Sequence, residues 1–200
     1  MSQLISTARI QEKLKTLLFP FKNTHTFPPF WICSRKGNVS FRPSSIEMVK
    51  TNLELAVRLT KVNHVVAIPL VFYQCDQKGE YQENQKESHY TKLHYNLLLI
   101  YRSHNKLFLE RYEPNSTEKQ EDLHLQLEKK FQEVLPYPFT FVLFARHGLQ
   151  TTDDLCGYHI LFWAQQRLLF GKEKTRLDFS LPEMKKKFEL FLIEQQKTSL

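Results

Sequence analysis

The chain has 200 residues, of which 42% are apolar and 13% aromatic, enough to bury a core and too much for general disorder. Its 28 basic and 21 acidic residues give a net charge of +7, spread along the chain apart from Lys185-Lys186-Lys187, which reads as a solvated helix face. The three cysteines, Cys33, Cys75 and Cys156, are widely spaced with no CxxC pair, which argues against a disulfide framework or a cysteine-rich zinc site and for a reducing compartment.

Residues 3–18 carry Ile5, Ala8, Ile10, Leu14, Leu17 and Leu18 at helical spacing, predicting a first helix that Pro20 ends. Pro28 and Pro29 mark an extended connection. Residues 30–33 read as a short strand, with a turn over 36–38 and a second hairpin arm over 39–41. Ser44-Ser45 open a helix running to about Thr60, and the β-branched run 65–72 is a strand. Residues 76–88 are polar with no core pattern and read as a surface loop. Runs 95–101 and 106–112 flank Ser103-His104-Asn105, a plausible hairpin. A helix follows over 116–133, then a buried strand over 139–144. Asp153 and Asp154 are placed to cap an apolar helix beginning near Cys156, and Pro182 opens a last helix. The result is a mixed α/β pattern with no repeat, low-complexity segment or dividing linker. No apolar run approaches the roughly 18 residues of a membrane span, the N-terminus mixes charges into its apolar positions unlike a secretory signal, and no nucleic-acid-binding motif is present.

The segment Gln150-Thr-Thr-Asp-Asp-Leu-Cys156-Gly157 carries the chemistry. A cysteine opening a helix lies where unpaired N–H groups and the positive dipole end stabilise a thiolate, the nucleophilic form. A glutamine amide beside it can donate to the oxyanion formed when sulfur attacks a carbonyl. His94 precedes one apolar run and Glu113 ends the next. The order His, acid, Gln, Cys is a complete cysteine-nucleophile set. His94 enters one strand of the hairpin and Glu113 leaves its neighbour, so paired strands about 5 Å apart bring carboxylate and imidazole together. Glu110, three positions earlier, points to the opposite sheet face. Asn115 is the other candidate for the third role, because an amide oxygen can also orient an imidazole. His147 and His159 compete with His94 as base, and Cys33 and Cys75 read as structural.

His94-Tyr95-Asn96-Leu-Leu-Leu, Leu109-Glu110-Arg111-Tyr112-Glu113-Pro114-Asn115 and Gln150 to Gly157 together resemble the superfamily of SUMO proteases and adenovirus proteases (clan CE cysteine peptidases). The Glu-Arg-Tyr-Glu-Pro run is most like members from large DNA viruses and intracellular bacteria. The likeness covers about residues 70–170. It implies an α+β fold of papain-like type, a central mixed or antiparallel sheet flanked by helices. It divides a single protease domain into an N-terminal helical and extended extension (1–62), a catalytic core (63–170) and a C-terminal helix (171–200). It implies His94 as general base, Glu113 as its orienting acid, Gln150 as oxyanion donor and Cys156 as nucleophile, with no metal or organic cofactor. Tyr95 stands where the family usually has Trp and is expected to wall a narrow glycine tunnel. The implied activity is cleavage after a Gly-Gly-like pair. The protein would act as a monomer on ubiquitin or a ubiquitin-like modifier as a deubiquitinase or isopeptidase effector in a host cytoplasm, or on a viral polyprotein in a virion. A YopJ-type acetyltransferase with the same Cys, His and acid set, and an inactive binding module, are the alternatives.

Overall fold

The computed structural model describes residues 5–35, 38–74, 93–114, 119–145, 155–169 and 181–197. Their arrangement is α+β. One mixed sheet of seven strands has the order β3-β2-β4-β5-β6-β7, with β1 paired to β4 beside that path. The strands are β1 (Thr24–Thr26), β2 (Phe30–Arg35), β3 (Asn38–Phe41), β4 (Val65–Gln74), β5 (Leu93–Ser103), β6 (Lys106–Glu113) and β7 (Thr140–Ala145). The helices are α1 (Thr7–Leu18), α2 (Ile46–Thr60), α3 (Lys119–Val134), α4 (Cys156–Leu169) and α5 (Leu181–Lys197).

The middle of the sheet is antiparallel. β5 pairs with β4 on one side and β6 on the other, and the β5–β6 hairpin turns through His104 and Asn105. Both residues are left-handed, at φ 48° and 63°, as a two-residue turn matching the strand twist requires. Flanking that middle, β2 and β1 run parallel to β4 and β7 runs parallel to β6, with α3 carrying the chain from β6 to β7, while β3 closes the other end antiparallel to β2. The first sixty residues thus supply three strands to the same sheet that holds β4 to β7. β1 has no counterpart in the sequence reading, because Thr24-His25-Thr26 lacks any apolar signal; it is held by register, Thr24 opposite Val65.

Each face of the sheet buries its own core, as the alternation of strand side chains dictates. Tyr95, Leu97, Leu99 and Tyr101 of β5 pack beneath α1, α4 and α5 with Ile10, Leu14, Phe162, Trp163 and Phe188. Leu98 and Ile100 join Ile68, Leu70, Leu53 and Phe131 beneath α2 and α3. Trp163 stacks on Tyr112 with ring centroids 4.5 Å apart, a contact worth about 0.5–1.5 kcal/mol beyond its burial. β7 is less covered than expected for a buried strand: Phe141 is buried, whereas Thr140 is exposed and Val142 and Leu143 are half-buried. It lies at the end of the sheet order, with a strand neighbour on one side alone among the described residues.

Two helix starts differ in how they are closed. Ser6 accepts the Arg9 N–H and caps α1. Ser45 makes no side-chain cap for α2; its hydroxyl donates to the Arg42 carbonyl within the short 3₁₀ turn Pro43–Ser45. Residues 76–88, 115–118, Asp153 and Asp154, on which a loop, part of a helix and a cap were expected, lie outside the described residues. Cys33 is disulfide-bonded to a partner outside them, against the expectation of cysteines standing apart. The parallel pairing of β2 with β4 sets Cys33 opposite Tyr73, so Cys33 runs beside the end of β4, a proximity that linear spacing does not reveal.

Candidate active site

His94 opens β5, Glu113 closes β6, and the two strands are antiparallel, so both residues reach the same end of the sheet. The β5–β6 ladder stops at Leu97–Tyr112, leaving Asn96 and Glu113 facing one another just past it. His94, Asn96, Arg111 and Glu113 then fall on one face by strand alternation. Cys156 arrives from the other face, as the first residue of α4.

His94 Nε2 lies 2.6 Å from Glu113 Oε1. A carboxylate accepts only, so Nε2 is the donor and Nδ1 is left for the nucleophile side. The Cys156 thiol is hydrogen-bonded to the imidazole, and this cysteine, free and 1% exposed, completes a Cys–His–Glu line. Burial alone pushes His94 down. The Glu113 charge and the hydrogen bonds to Cys156 and Glu113 outweigh it and raise the imidazole to about 10. The proton therefore resides on His94 at neutral pH.

Two residues that sequence reasoning left aside complete the ring around Glu113. Arg111 Nη2 donates to Glu113 Oε2 at 2.8 Å, and Arg111 Nε donates to Asn96 Oδ1 at 2.6 Å. The Arg111 guanidinium also lies over the Phe72 ring at 5.5 Å, and Phe72 flanks His94 with ring centroids 6.4 Å apart. The signal was the alternation itself: a polar residue two positions from a site residue on the same strand shares its face.

Glu110 faces away, as its spacing from Glu113 predicts. It accepts from Arg167 of α4 at 3.0 Å and from the Tyr101 hydroxyl at 3.0 Å. His159, a candidate base from sequence, is fully buried and stacked on Phe188 at 3.8 Å, and burial lowers it to about 3. It is a core residue, held in its neutral form by burial. Tyr95, expected to wall a substrate tunnel, is 1% exposed and turned to the face opposite His94, its hydroxyl 3.0 Å from that of Thr7. The residue after a strand histidine necessarily faces the other way, and here α1 covers it. Gln150, Asn115, His147 and Cys75 lie outside the described residues. Among the described residues no cluster of His, Cys, Asp and Glu could hold a metal ion, and no helix is long and apolar enough to cross a membrane.

No protein-family model and no curated protein sequence matches the chain. Solved structures do. Two structures of the Legionella pneumophila effector protein RavZ match with TM-score 0.50, at 14% and 12% identity over 82% and 94% of this chain. The fold is shared with RavZ. The chain spans 58% and 63% of those RavZ chains, less than two thirds of their length. The ASFV pS273R protease matches at TM-score 0.49 and 15% identity, over 96% of this chain and 69% of its own. The C-terminal Ulp1 protease domain, solved with Smt3, the yeast orthologue of SUMO, matches at TM-score 0.46 and 11% identity, over 95% of this chain and 75% of its own.

Proposed function

We propose that the chain is a thiol-dependent peptidase or isopeptidase of the superfamily its sequence resembles, acting on ubiquitin or a ubiquitin-like modifier after a Gly-Gly-like pair. The observation that carries this reading is the Cys156–His94–Glu113 line, with the sulfur at the start of α4 and the imidazole held against a buried carboxylate. The reactive form in this reading is the Cys156 thiolate beside the protonated His94 imidazole, which acts first as an acid.

The Cys156 sulfur attacks the carbonyl carbon of the scissile bond, and the carbonyl π pair moves onto oxygen. The Gln150 amide and the Cys156 backbone N–H are assigned to that oxyanion. Collapse breaks the C–N bond, and the departing amine takes the proton from His94. The neutral imidazole then removes a proton from water as the water attacks the thioester. The carboxylic product leaves, and the sulfur and imidazolium are restored.

The test is a panel of ubiquitin, SUMO and related modifiers carrying a C-terminal propargyl or vinyl electrophile. One member should form a covalent adduct at Cys156 that Cys156→Ala abolishes. Absence of any adduct, with acetyl-CoA instead acetylating Cys156, would replace hydrolysis by acetyl transfer.

A further inference from the structure

We propose that Arg111 is a positioning residue for the His94–Glu113 pair, holding Glu113 ionised in the one orientation that faces His94; this rests on the thiol-peptidase reading. Arg111 is fully buried within a strand, where an arginine is a rare occupant unless its charge is matched. Its match is divided in two. Nη2 holds the Glu113 oxygen that His94 does not use, and Nε is tied to Asn96. The two carboxylate oxygens are therefore shared out, Oε1 to the imidazole and Oε2 to the guanidinium. Asn96 and the Phe72 face remove the freedom that a long arginine side chain would otherwise keep.

The charges explain why this cation belongs to the reaction and not to packing alone. In the reactive form of that reading, Arg111, Glu113, protonated His94 and a Cys156 thiolate alternate in sign and cancel. Burial pushes the Arg111 guanidinium down to about 10, with Glu113 opposing, so it remains a cation at neutral pH. Without it the same buried group carries one surplus negative charge. A proton relieves that charge on Glu113, the group Arg111 touches, and His94 then loses the ionised carboxylate that holds its proton, so the reactive form appears at higher pH. Lysine cannot replace the fork, because one nitrogen cannot reach Asn96 and Glu113 in their separate directions.

The test is the pH dependence of Cys156 alkylation by iodoacetamide, which needs no knowledge of the natural substrate. Arg111→Met should move the acidic limb of that profile up by about one pH unit, the scale for losing a neighbouring opposite charge. At a given pH below the limb, that shift slows alkylation about tenfold. Arg111→Lys should shift the limb in the same direction by less. Adding Arg111→Met to Glu113→Gln should leave the limb where Glu113→Gln alone puts it, since the arginine acts through the carboxylate. That double variant removes both buried charges together, so it and Arg111→Lys decide the matter if Arg111→Met does not fold. A folded Arg111→Met chain with the wild-type limb, or a further shift in the double variant, would overturn the proposal. The expected shift in a chain that no electrophilic modifier labels would support it while overturning the peptidase reading.

Discussion

Glu110 and Glu113, three residues apart on β6, serve opposite faces of the sheet: Glu110 binds Arg167 of α4, while Glu113 binds His94 and Arg111. The first anchors the helix that brings the sulfur, and the second holds the imidazole that the sulfur meets. One strand thus registers both halves of the site.

The anchoring half is testable by stability. Arg167→Met leaves the Glu110 carboxylate buried with the Tyr101 hydroxyl as its remaining described donor, and should destabilise the fold by about 3–5 kcal/mol. Arg167→Met with Glu110→Gln removes both charges and should cost clearly less. Urea denaturation of the two single variants and the double gives the coupling, and additive losses would show that the pair does not act as a unit.

Replacing the sulfur should remove function and spare structure. Cys156→Ala deletes one buried atom, so its melting temperature should stay near that of the wild type while adduct formation and turnover vanish. Turnover that survives in Cys156→Ala would refute the mechanism as a whole.

His94 gives the pH dependence. Its folded value of about 10 lies above the ordinary 6.5, so the stability it contributes is fully present below about 6.5 and is lost as pH rises through about 10. The melting temperature of the wild type should therefore exceed that of His94→Gln by most at and below about pH 6.5, with the gap closing as pH rises toward 10. In an NMR titration Glu113→Gln should lower the His94 transition, since the carboxylate charge is the largest influence raising it. A His94 transition near 6.5 in the wild type would contradict the geometry.

The oxyanion role assigned to Gln150 separates from thiolate formation by comparing two reactions. Gln150→Ala should lower kcat by about 10²–10³, the range for losing one oxyanion donor, while Cys156 remains reactive toward iodoacetamide, whose attack forms no oxyanion. His94→Ala should slow both. Equal losses in both reactions for Gln150→Ala would assign the glutamine to shaping the thiolate instead.

Gly157 is fixed by close approach. A Cβ there would lie 2.4 Å from Ile5 Cγ2 and 2.8 Å from Ile10 Cδ1, so Gly157→Ala should destabilise by about 1–3 kcal/mol through overpacking despite alanine's better helix propensity. Shortening Ile5 to alanine in the same chain should recover part of the loss. A Gly157→Ala chain with an unchanged melting temperature would mean that the N-terminal segment moves aside without cost.

The hairpin, the helix bounds near Ile46 and Thr60, and the sharing of a sheet end by His94 and Glu113 were legible because each follows from local periodicity. The same alternation separates Glu110 from Glu113 in the sequence alone. What escaped depends on register between distant strands. Arg111 and Asn96 meet across the β5–β6 ladder, and polar residues in an apolar run carry no label saying which partner will satisfy them. β1 depends on pairing with β4, tens of residues away. Tyr95 was assigned by the habit of a family where alternation, applied to the residue after His94, already placed it on the other face.

The seat of α1 on α4 has a consequence for synthesis. Ile10, Leu14 and Leu18 find their cover on a helix that begins at Cys156, so on a ribosome making about 5–20 residues per second they wait on the order of ten seconds for it. Throughout that interval the stripe can meet its sheet neighbours in β4 and β5 but not the helix that covers it, and it is a ready target for a chaperone. The sulfur leaves the ribosome with the very helix that ends this exposure, so reactive chemistry and the closing of the core arrive together.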